Sequence, residues 1–344
     1  MTALPWISAE EVFAAVDYAS AVDALRRHLA TGPDPATDPA RSVLDLRNGQ
    51  LLLMPSESAD AVGVKVATVA PGNPALGLER IQGIYLLMDA QTLTPAALLD
   101  GTALTTLRTP AVSAAAASYL APETVDHLVV FGSGPQAQGH VEAMYAIRPF
   151  GRVSIVARHA GRAQDLVARL TDAGFTATRG TPEAVRDAQL IVCATTARTP
   201  LFDGSTVPVD SCTIAVGSHE PDARELDSAL MTRAQVVVED VAVALREAGD
   251  VVIPRAEGVL SAESLVPLRD LATREASVDH SRPRVFKSSG MSWEDLVIAE
   301  EVLLAWRPGC DEVLSATKEP RGGPGVNRLE QEQLRRARLR SLDH

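Results

Sequence analysis

The stretch VVFGSGPQAQGH, residues 129–140, restricts the fold more than any other part of the sequence. Three apolar residues run into a Gly-x-Gly pair, and a helix-like stretch follows. This pattern is typical of a strand-to-helix turn that binds a dinucleotide. Gly132 would permit the tight turn, Gly134 would let the backbone approach the pyrophosphate, and Ala137 would let helix and strand pack closely. A glycine turn with a purely structural role is the alternative.

The rhythm of the chain changes near residues 121–123. From Val125 onward, short apolar runs alternate with helical stretches, which indicates βαβ units and a parallel sheet. Before that point, a capping box of Ser8 and Glu11 and a second helix precede the strand-like runs RSVLDL, QLLLMP, AVGVKVATV and IQGIYLLMDA. We therefore predict an α/β protein with a Rossmann parallel-sheet domain and an α+β unit of antiparallel or mixed strands.

Composition limits the partners and the compartment. A formal net charge of -12 disfavours nucleic acid and anionic membranes as partners, so small molecules are expected. The N-terminus has no basic region of a signal peptide, and no window is apolar enough for a membrane span. The three cysteines have neither the count nor the spacing of a disulfide framework or a metal site. Cys193 and Cys212 are expected to be buried thiols, and the protein is expected to be cytoplasmic.

The residue type after the second Rossmann strand indicates which nicotinamide cofactor is bound. An NAD site usually has an Asp or Glu there, which binds the ribose 2′-hydroxyl. This chain has Arg158 instead, with His159 and Arg162 close behind. Cations suit a 2′-phosphate, so NADPH is predicted, with NADH as the alternative. Solvated charges without a cofactor role would give the same pattern.

Three cations in the N-terminal region are candidates for binding an acidic substrate. Lys65 alternates with Val64 and Val66 on a predicted strand, where desolvation could make it a proton donor or carboxylate anchor. A surface lysine on an edge strand is the alternative. Arg108 is expected at the start of a small-residue helix over 109–120, where it could bind a carboxylate or phosphate. Arg41 follows a proline-rich loop, and it indicates a substrate site only in combination with Lys65 and Arg108.

Two loops near later strands carry further candidates. Gly217, Ser218 and His219 follow the strand TIAVG, at the edge where Rossmann ligands bind. His219 is therefore a candidate acid or base, or else a loop histidine bonded to backbone. VFKSSGM is expected to form a glycine turn that closes over a nicotinamide or caps the next helix. The candidates in that turn are Lys287, Ser288 and Gly290.

Taken together, these segments resemble the ornithine cyclodeaminase/μ-crystallin family from about residue 41 to 306. The segments that carry the resemblance are LMP at 53–55, GVKVA at 63–67, LRTPAVSA at 107–114, GSGPQA at 132–137, VGSHEPDARELD at 216–227, ALREAGDV at 244–251 and VFKSSGMSWEDL at 285–296.

The resemblance implies a homodimeric enzyme of two domains. Residues 1–122 and 300–344 would form the substrate-binding and dimerisation domain, with a flexible tail after about 317, and residues 123–299 the Rossmann domain. Arg41, Met54, Lys65 and Arg108 would bind the substrate, and Lys65 and His219 would be catalytic. The predicted cofactor-binding residues are Thr109, Gly132, Ser133, Gly134, Pro135, Gln136, Ala137, Arg158, His159, Arg162, Ala194, Thr195, Thr196, Val216, Gly217, Ser218, Lys287, Ser288 and Gly290.

Two departures separate this chain from the cyclodeaminase branch. Where that branch has a catalytic Asp in a Gly-Gly-Asp pattern, this chain has Gly217, Ser218 and His219, and it has Leu52 where that branch has a glutamate. The predicted function is therefore NAD(P)H-dependent reduction of a small cyclic ketimine carboxylate, Δ1-pyrroline-2-carboxylate or Δ1-piperideine-2-carboxylate, to proline or pipecolate. The alternatives are an ornithine or lysine cyclodeaminase, an amino-acid dehydrogenase, a synthase, and a non-catalytic ligand-binding protein.

Overall fold

The computed structural model describes residues 4–306, which form two compact units. The first contains residues 4–16, 40–104 and 296–306, and the second contains residues 17–39 and 105–295. The division predicted from the sequence differs, because it assigns residues 17–39 and 105–122 to the substrate-binding and dimerisation domain. As a statement about independently folding domains, it stays a prediction. Cys310 and the tail after about residue 317 lie outside the described residues.

The described chain contains ten α-helices and fourteen strands. From the N-terminus these are β1 (Trp6–Ile7), α1 (Ala9–Ala15), α2 (Tyr18–Thr31), β2 (Ser42–Leu46), β3 (Gly49–Glu57), β4 (Ala61–Val69), β5 (Ile81–Asp89), β6 (Pro95–Asp100), α3 (Gly101–Leu120), β7 (Val125–Phe131), α4 (Pro135–Ile147) and β8 (Phe150–Val156). There follow α5 (Ala160–Asp172), β9 (Ala177–Arg179), β10 (Leu190–Cys193), β11 (Cys212–Ala215), α6 (Ser228–Arg233), β12 (Gln235–Val238), α7 (Val241–Glu247), α8 (Gly249–Ala256), β13 (Leu265–Pro267), α9 (Leu268–Thr273), β14 (Arg284–Lys287) and α10 (Ser292–Ala305).

The first unit is built on a six-stranded mixed sheet in the order β1-β6-β5-β4-β3-β2. Strands β2 to β6 are antiparallel neighbours, and the short β1 pairs in parallel with β6. In β4 the odd-numbered positions 61–69 are buried, because successive side chains of a strand point to opposite faces. The predicted α+β unit with mixed strands is confirmed.

The second unit contains an eight-stranded parallel sheet in the order β13-β12-β14-β11-β10-β7-β8-β9. Strand β7 is almost entirely buried, as expected where a parallel sheet is covered on both faces. Its neighbours are β8 on one side and β10 on the other, so the strand order reverses there. Ligands of such sheets bind at this switch point, beyond the carboxyl ends of the strands. The predicted Rossmann domain is confirmed.

Helix α3 begins eight residues before the predicted start at Thr109. The run of small residues over 109–120 indicated the later start. The true start is marked by the Asp100 carboxylate, which accepts hydrogen bonds from the backbone N–H groups of Thr102 and Ala103 at 2.9 and 2.8 Å. Arg108 therefore lies inside the helix and not at its start. Within residues 4–306, no helix combines the length and hydropathy that a membrane span requires.

Residues 284–287 form a central strand, although the sequence suggested a glycine turn there. Strand β14 lies between β11 and β12, and all four of its residues are buried. Four residues that begin with Arg284 and end with Lys287 are too few and too polar for a strand pattern to stand out. The position of this strand follows from the order of the whole sheet.

Buried His140 should make stability depend on pH. This side chain of α4 lies 2.7 Å from the Gln136 carbonyl and 2.9 Å from the Ser113 hydroxyl, and burial lowers its pKa from 6.5 to about 4. As pH falls, the unfolded chain therefore binds the proton before the folded chain does. The contribution of His140 to the stability of the fold is complete above pH 6.5 and is lost as pH falls towards 4. That loss is about 3 kcal/mol.

Urea unfolding between pH 7 and pH 4 checks this contribution. His140→Gln removes the titrating group and can keep polar contacts. Between pH 7 and pH 4 the free energy of unfolding should fall by about 3 kcal/mol less in the variant than in the wild type. Parallel curves for the two proteins would contradict the prediction.

Candidate active site

The glycine turn after β7 has the geometry that a bound phosphate needs. Gly132 has φ +127°, its N–H donates to the Val156 carbonyl at 2.9 Å, and a Cβ there would stand 2.5 Å from the Ala194 carbonyl oxygen. At Gly134, by contrast, no heavy atom of residues 4–306 other than those of Gly134 itself and its two chain neighbours lies within 4 Å of the place a Cβ would take. No side chain in this described region caps the start of α4, so its first N–H groups face that open space. The turn fits a dinucleotide pyrophosphate.

Backbone hydrogen bonds join the loops that follow the neighbouring strands. Ala194 N–H donates to the Phe131 carbonyl at 2.8 Å, Val216 N–H to that of Cys193 at 2.9 Å, and Ser288 N–H to that of Ala215 at 3.0 Å. The carboxyl ends of β7, β10, β11 and β14 thus meet at one edge of the sheet. The predicted cofactor residues that follow β10, β11 and β14 at this edge are Ala194, Thr195, Thr196, Val216, Gly217, Ser218, Ser288 and Gly290.

The loop after β8 and the first turn of α5 bring two exposed arginines and a histidine to the same edge. Strand β8 pairs with β7 through Val156 and Phe131, so its end lies beside the glycine turn. Arg158, His159 and Arg162 are all exposed. This position suits recognition of a phosphate at the adenosine ribose, because that end of a Rossmann ligand lies beyond the second strand.

Arg108 is 6% exposed and is surrounded by carboxylates of the second unit. Its Nη1 lies 2.6 Å from Glu294 Oε2, and its Nε lies 3.6 Å from Asp295 Oδ1. Burial alone would lower the pKa of this guanidinium, but the charges of Glu294, Asp295 and Glu239 outweigh that effect and raise it. Burial, with Glu239 nearby, raises the pKa of Glu294 well above its ordinary value. Arg108 is therefore a permanent buried cation. Thr109 beside it is also buried.

Glu239, which the sequence analysis missed, holds the turn that follows β14. Its Oε1 accepts from the Ser288 hydroxyl at 2.6 Å, and its Oε2 accepts from the N–H groups of Ser289 and Gly290 at 2.7 and 2.8 Å. Gly290 has φ +72°, and a Cβ there would be 2.9 Å from both Nη atoms of Arg108. The turn thus packs directly on the guanidinium. An acid immediately after the apolar run QVVV was the available signal.

Lys287 lies outside this turn, so its predicted place in a glycine turn is wrong. It is the last residue of β14 and is fully buried. Its Nζ donates to the carbonyl oxygens of Ser288 and Ala215 at 2.5 and 3.2 Å and lies 3.7 Å from Asp250 Oδ2. The Lys287 side chain is directed to these internal partners. The other two residues predicted in the glycine turn, Ser288 and Gly290, do lie in the turn that follows β14.

His219 is exposed in the loop after β11. The preceding Ser218 is buried, and its hydroxyl donates to the Ala223 carbonyl and, at 3.4 Å, to that of Glu220. These bonds shape the loop without fixing a function for the imidazole. Catalysis by His219 stays a prediction.

Lys65 occupies the middle of β4 in the first unit and is 3% exposed. Strand β4 lies between β3 and β5, so the alternative of a surface lysine on an edge strand is wrong. Its cross-strand neighbours are Met54 on β3 and Tyr85 on β5, both buried. A Cβ on Gly63 would stand 2.0 Å from the Tyr85 hydroxyl, so glycine is required for the ring to lie over the strand. Tyr85 was missed because a tyrosine in an apolar strand is usually core.

Arg41 is partly exposed and immediately precedes β2. Met54, 4% exposed, is paired with Lys65 in the sheet register. Leu52 lies two residues before Met54 on the same strand and therefore points to the same face. Binding of a substrate by Arg41, Met54, Lys65 and Arg108 stays a prediction.

A glycine turn and an uncapped helix start at the switch point of a parallel sheet define a dinucleotide-binding α/β protein. The matching sequence family is more specific. The chain belongs to the ornithine cyclodeaminase/mu-crystallin family, which it matches over residues 7–308.

Three similar proteins show how far the likeness extends. A Δ1-pyrroline-2-carboxylate reductase of Colwellia psychrerythraea is 32% identical over 86% of this chain and 98% of its own length. The ketimine reductase mu-crystallin of Mus musculus is 32% identical over 84% of this chain and 91% of its own. The structure of Thermococcus litoralis Δ1-pyrroline-2-carboxylate reductase in complex with NADH and L-proline has a TM-score of 0.82 and 26% identity, and covers 88% of this chain and 97% of that one.

Proposed function

We propose that this protein is a nicotinamide-dependent reductase of small cyclic ketimine carboxylates. The observation that carries the proposal is the similarity to a Δ1-pyrroline-2-carboxylate reductase along nearly the whole of both chains. Δ1-pyrroline-2-carboxylate and Δ1-piperideine-2-carboxylate are the proposed substrates, and proline and pipecolate the products. The dinucleotide cradle after β7 is in keeping with this chemistry.

The reaction divides the work between cofactor and protein. When bound, the reduced nicotinamide would supply a hydride to the imine carbon, and the imine nitrogen would need a proton from the protein. In this proposal Arg41 and Arg108 bind the carboxylate, because guanidinium groups form paired hydrogen bonds with carboxylates. Lys65 binds the substrate and keeps the imine protonated. Holding the reacting carbon in place makes the transfer effectively unimolecular.

An absorbance assay tests the proposal directly. Purified protein is mixed with NADPH or NADH and one of the two cyclic imines, and loss of the reduced nicotinamide band is followed. Stoichiometric formation of proline or pipecolate is the expected result. Absence of oxidation with either nucleotide would contradict a reductase. Ornithine, lysine and alanine with NAD⁺ then distinguish a cyclodeaminase, which releases ammonia without net reduction, from a dehydrogenase.

The proposal includes a preference for NADPH, based on the exposed cations after β8. Arg158→Asp should weaken NADPH relative to NADH by about tenfold or more, since it replaces a phosphate contact with a repelling charge. Ratios of kcat/KM for the two nucleotides measure this effect. Arg152→Asp, the same charge change near the amino end of β8, is the matched control and should leave the ratio unchanged. An unchanged ratio in the Arg158 variant would remove the argument for NADPH.

The proposal also includes a homodimer, because large apolar side chains of the first unit are exposed to solvent when one chain is taken alone. These are Val43, Leu44, Leu46, Leu76, Leu78, Ile81 and Ile84, with exposures from 38% to 75%. Three of them lie on β2, two on β5 and two in the segment between β4 and β5, and large apolar side chains exposed in such numbers are typical of interaction surfaces. A cytoplasmic location belongs to the same proposal, and the buried free thiols of Cys193 and Cys212 support it.

Light scattering after gel filtration measures the oligomeric state. We expect a mass of twice the 36.4 kDa of the chain. The double variant Leu44→Lys/Leu46→Lys should shift the protein towards a monomer, because it places charges on an apolar face. Val209→Lys, at an exposed valine of the second unit, is the control and should stay dimeric. A monomeric wild type would contradict the prediction.

A further inference from the structure

Glu225 belongs to the loop after β11 and is fully buried, and its carboxylate contacts both its own loop and the loop after β10 at the carboxyl edge of the parallel sheet. Its Oε1 accepts from the N–H of Thr195 at 2.9 Å and from the hydroxyl of the same residue at 2.6 Å. Its Oε2 accepts from Gly217 N–H at 2.7 Å. One side chain thus joins the loop after β10 to the loop after β11.

The two loops are also in direct contact at Gly217. A Cβ there would stand 2.0 Å from the Thr195 carbonyl oxygen and 2.6 Å from Glu225 Oε1. Because nothing larger than glycine fits, the carboxylate can approach both loops at hydrogen-bonding distance. In this arrangement of the loops, all three donors are satisfied by one carboxylate.

A second layer of buried charge fixes Glu225 itself. Asp250 Oδ1 accepts from the N–H groups of Glu225 and Leu226 at 2.7 and 2.8 Å. Asp250 Oδ2 lies 3.7 Å from Lys287 Nζ, which also donates to the carbonyl oxygens at the ends of β11 and β14. Asp250 and Lys287 are both fully buried. The glutamate is therefore held by the sheet and transmits that position to the loops.

We propose that Glu225 is a positioning residue for the nicotinamide cofactor. By holding the loops after β10 and β11 in one arrangement, it prepares the edge of the sheet for the dinucleotide before binding. Glu225 makes no contact with the cofactor, because its side chain is enclosed. This inference rests on the proposed function to the extent that a dinucleotide binds at this edge.

The test compares two variants of the same buried network. Glu225→Gln keeps the size of the side chain, but its NH₂ group replaces one acceptor and faces an N–H donor. Asp250→Asn removes a charge in the layer behind but keeps a side-chain oxygen that accepts from the N–H groups of Glu225 and Leu226, so Glu225 and both loop contacts stay in place. Each purified full-length protein is titrated with NADH and with NADPH by nucleotide fluorescence, and its melting temperature is measured.

We expect Glu225→Gln to raise the Kd for both nucleotides about tenfold or more, the effect of leaving a buried donor without its acceptor. Asp250→Asn should keep the Kd within about twofold of the wild-type value, even if its melting temperature falls as much as that of Glu225→Gln. In steady state, Glu225→Gln should raise the KM for the nucleotide more than it lowers kcat. A purely structural role would give both variants a rise in Kd that follows the loss of melting temperature, and would overturn the proposal.

Amide hydrogen exchange without nucleotide provides a readout that does not depend on activity. Peptides containing 194–197 and 216–218 should exchange faster in Glu225→Gln, while the 288–290 turn, held by Glu239, should keep its rate. Unchanged exchange in the first two peptides would overturn the proposal. If Glu225→Gln does not fold, Glu225→Asp replaces it. That variant keeps the charge but is one methylene too short to reach both loops, and an unchanged Kd would overturn the proposal.

The same titrations separate this inference from the proposed function. A wild type that binds the nucleotides but reduces neither imine refutes the reductase, and the comparison of variants still decides the role of Glu225. A wild type that binds neither nucleotide overturns the role of Glu225.

Discussion

Lys65→Ala should lower kcat/KM for the cyclic imine by at least about 100-fold, the lower range for loss of a positioned acid or base. The lysine lies on a central strand and is 3% exposed. In the proposed reaction its ammonium group binds the substrate and keeps the imine nitrogen protonated, so its removal affects both binding and the hydride-accepting state. The Kd for NADPH should change little. Steady-state kinetics and fluorescence titration of the same preparation measure the two quantities.

Two controls show whether the loss comes from the amine. Lys65→Met fills nearly the same volume, so it should lose activity to the same extent without a cavity between Met54 and Tyr85. Added alkylammonium ions should restore part of the activity of Lys65→Ala, because the cavity admits a small cation. Turnover close to that of the wild type in either variant would contradict a catalytic role.

Arg108→Met should affect stability and activity together. It removes a buried guanidinium whose Nη1 is 2.6 Å from Glu294, and it leaves carboxylates without their cation. Breaking a buried pair from one side costs about 3–5 kcal/mol in the free energy of unfolding. Activity should fall by about 100-fold or more, since carboxylate binding is part of the orientation that the transfer needs. Urea unfolding and imine reduction measure the two effects.

The double variant Arg108→Met/Glu294→Gln separates these effects. Replacing both members of a buried ion pair with groups of similar volume can be nearly neutral, so most of the lost stability should return. Activity should stay low, because the substrate carboxylate still lacks its guanidinium. Recovery of activity together with stability would show that Arg108 is structural only.

Much of the candidate site could be predicted because its signals are local. The strand, the glycine turn and the helix of residues 125–147 follow one another in the chain, and φ +127° at Gly132 is a requirement of that turn alone. The alternation in β4 likewise indicated that Lys65 lies on a strand. Burial of Lys65 was left open, because alternation does not distinguish a central strand from an edge strand.

The two wrong placements have a common physical reason. The start of α3 at Gly101 depends on capping by Asp100, which lies well before the run of small residues that indicated the helix. Strand β14 is four residues long, and its pairing with β11 and β12 comes from residues far away in the chain. Short elements buried in the middle of a sheet are determined by their neighbours more than by their own sequence.

The sequence by itself determined the alternation of strands and helices that begins at Val125, the dinucleotide turn and the basic segment after β8, because each depends on residues within a few positions of one another. Only the tertiary structure decided which acids meet which donors. Glu239 bonds to the 288–290 turn, Glu294 bonds to Arg108, and Glu225, in the loop after β11, bonds to Thr195 in the loop after β10. The pairings of Glu239 and Glu225 follow from the spatial order of parallel strands, which brings distant carboxyl ends to one edge, and that of Glu294 joins α10 to α3. Residues so far apart in the chain leave no local pattern in the sequence.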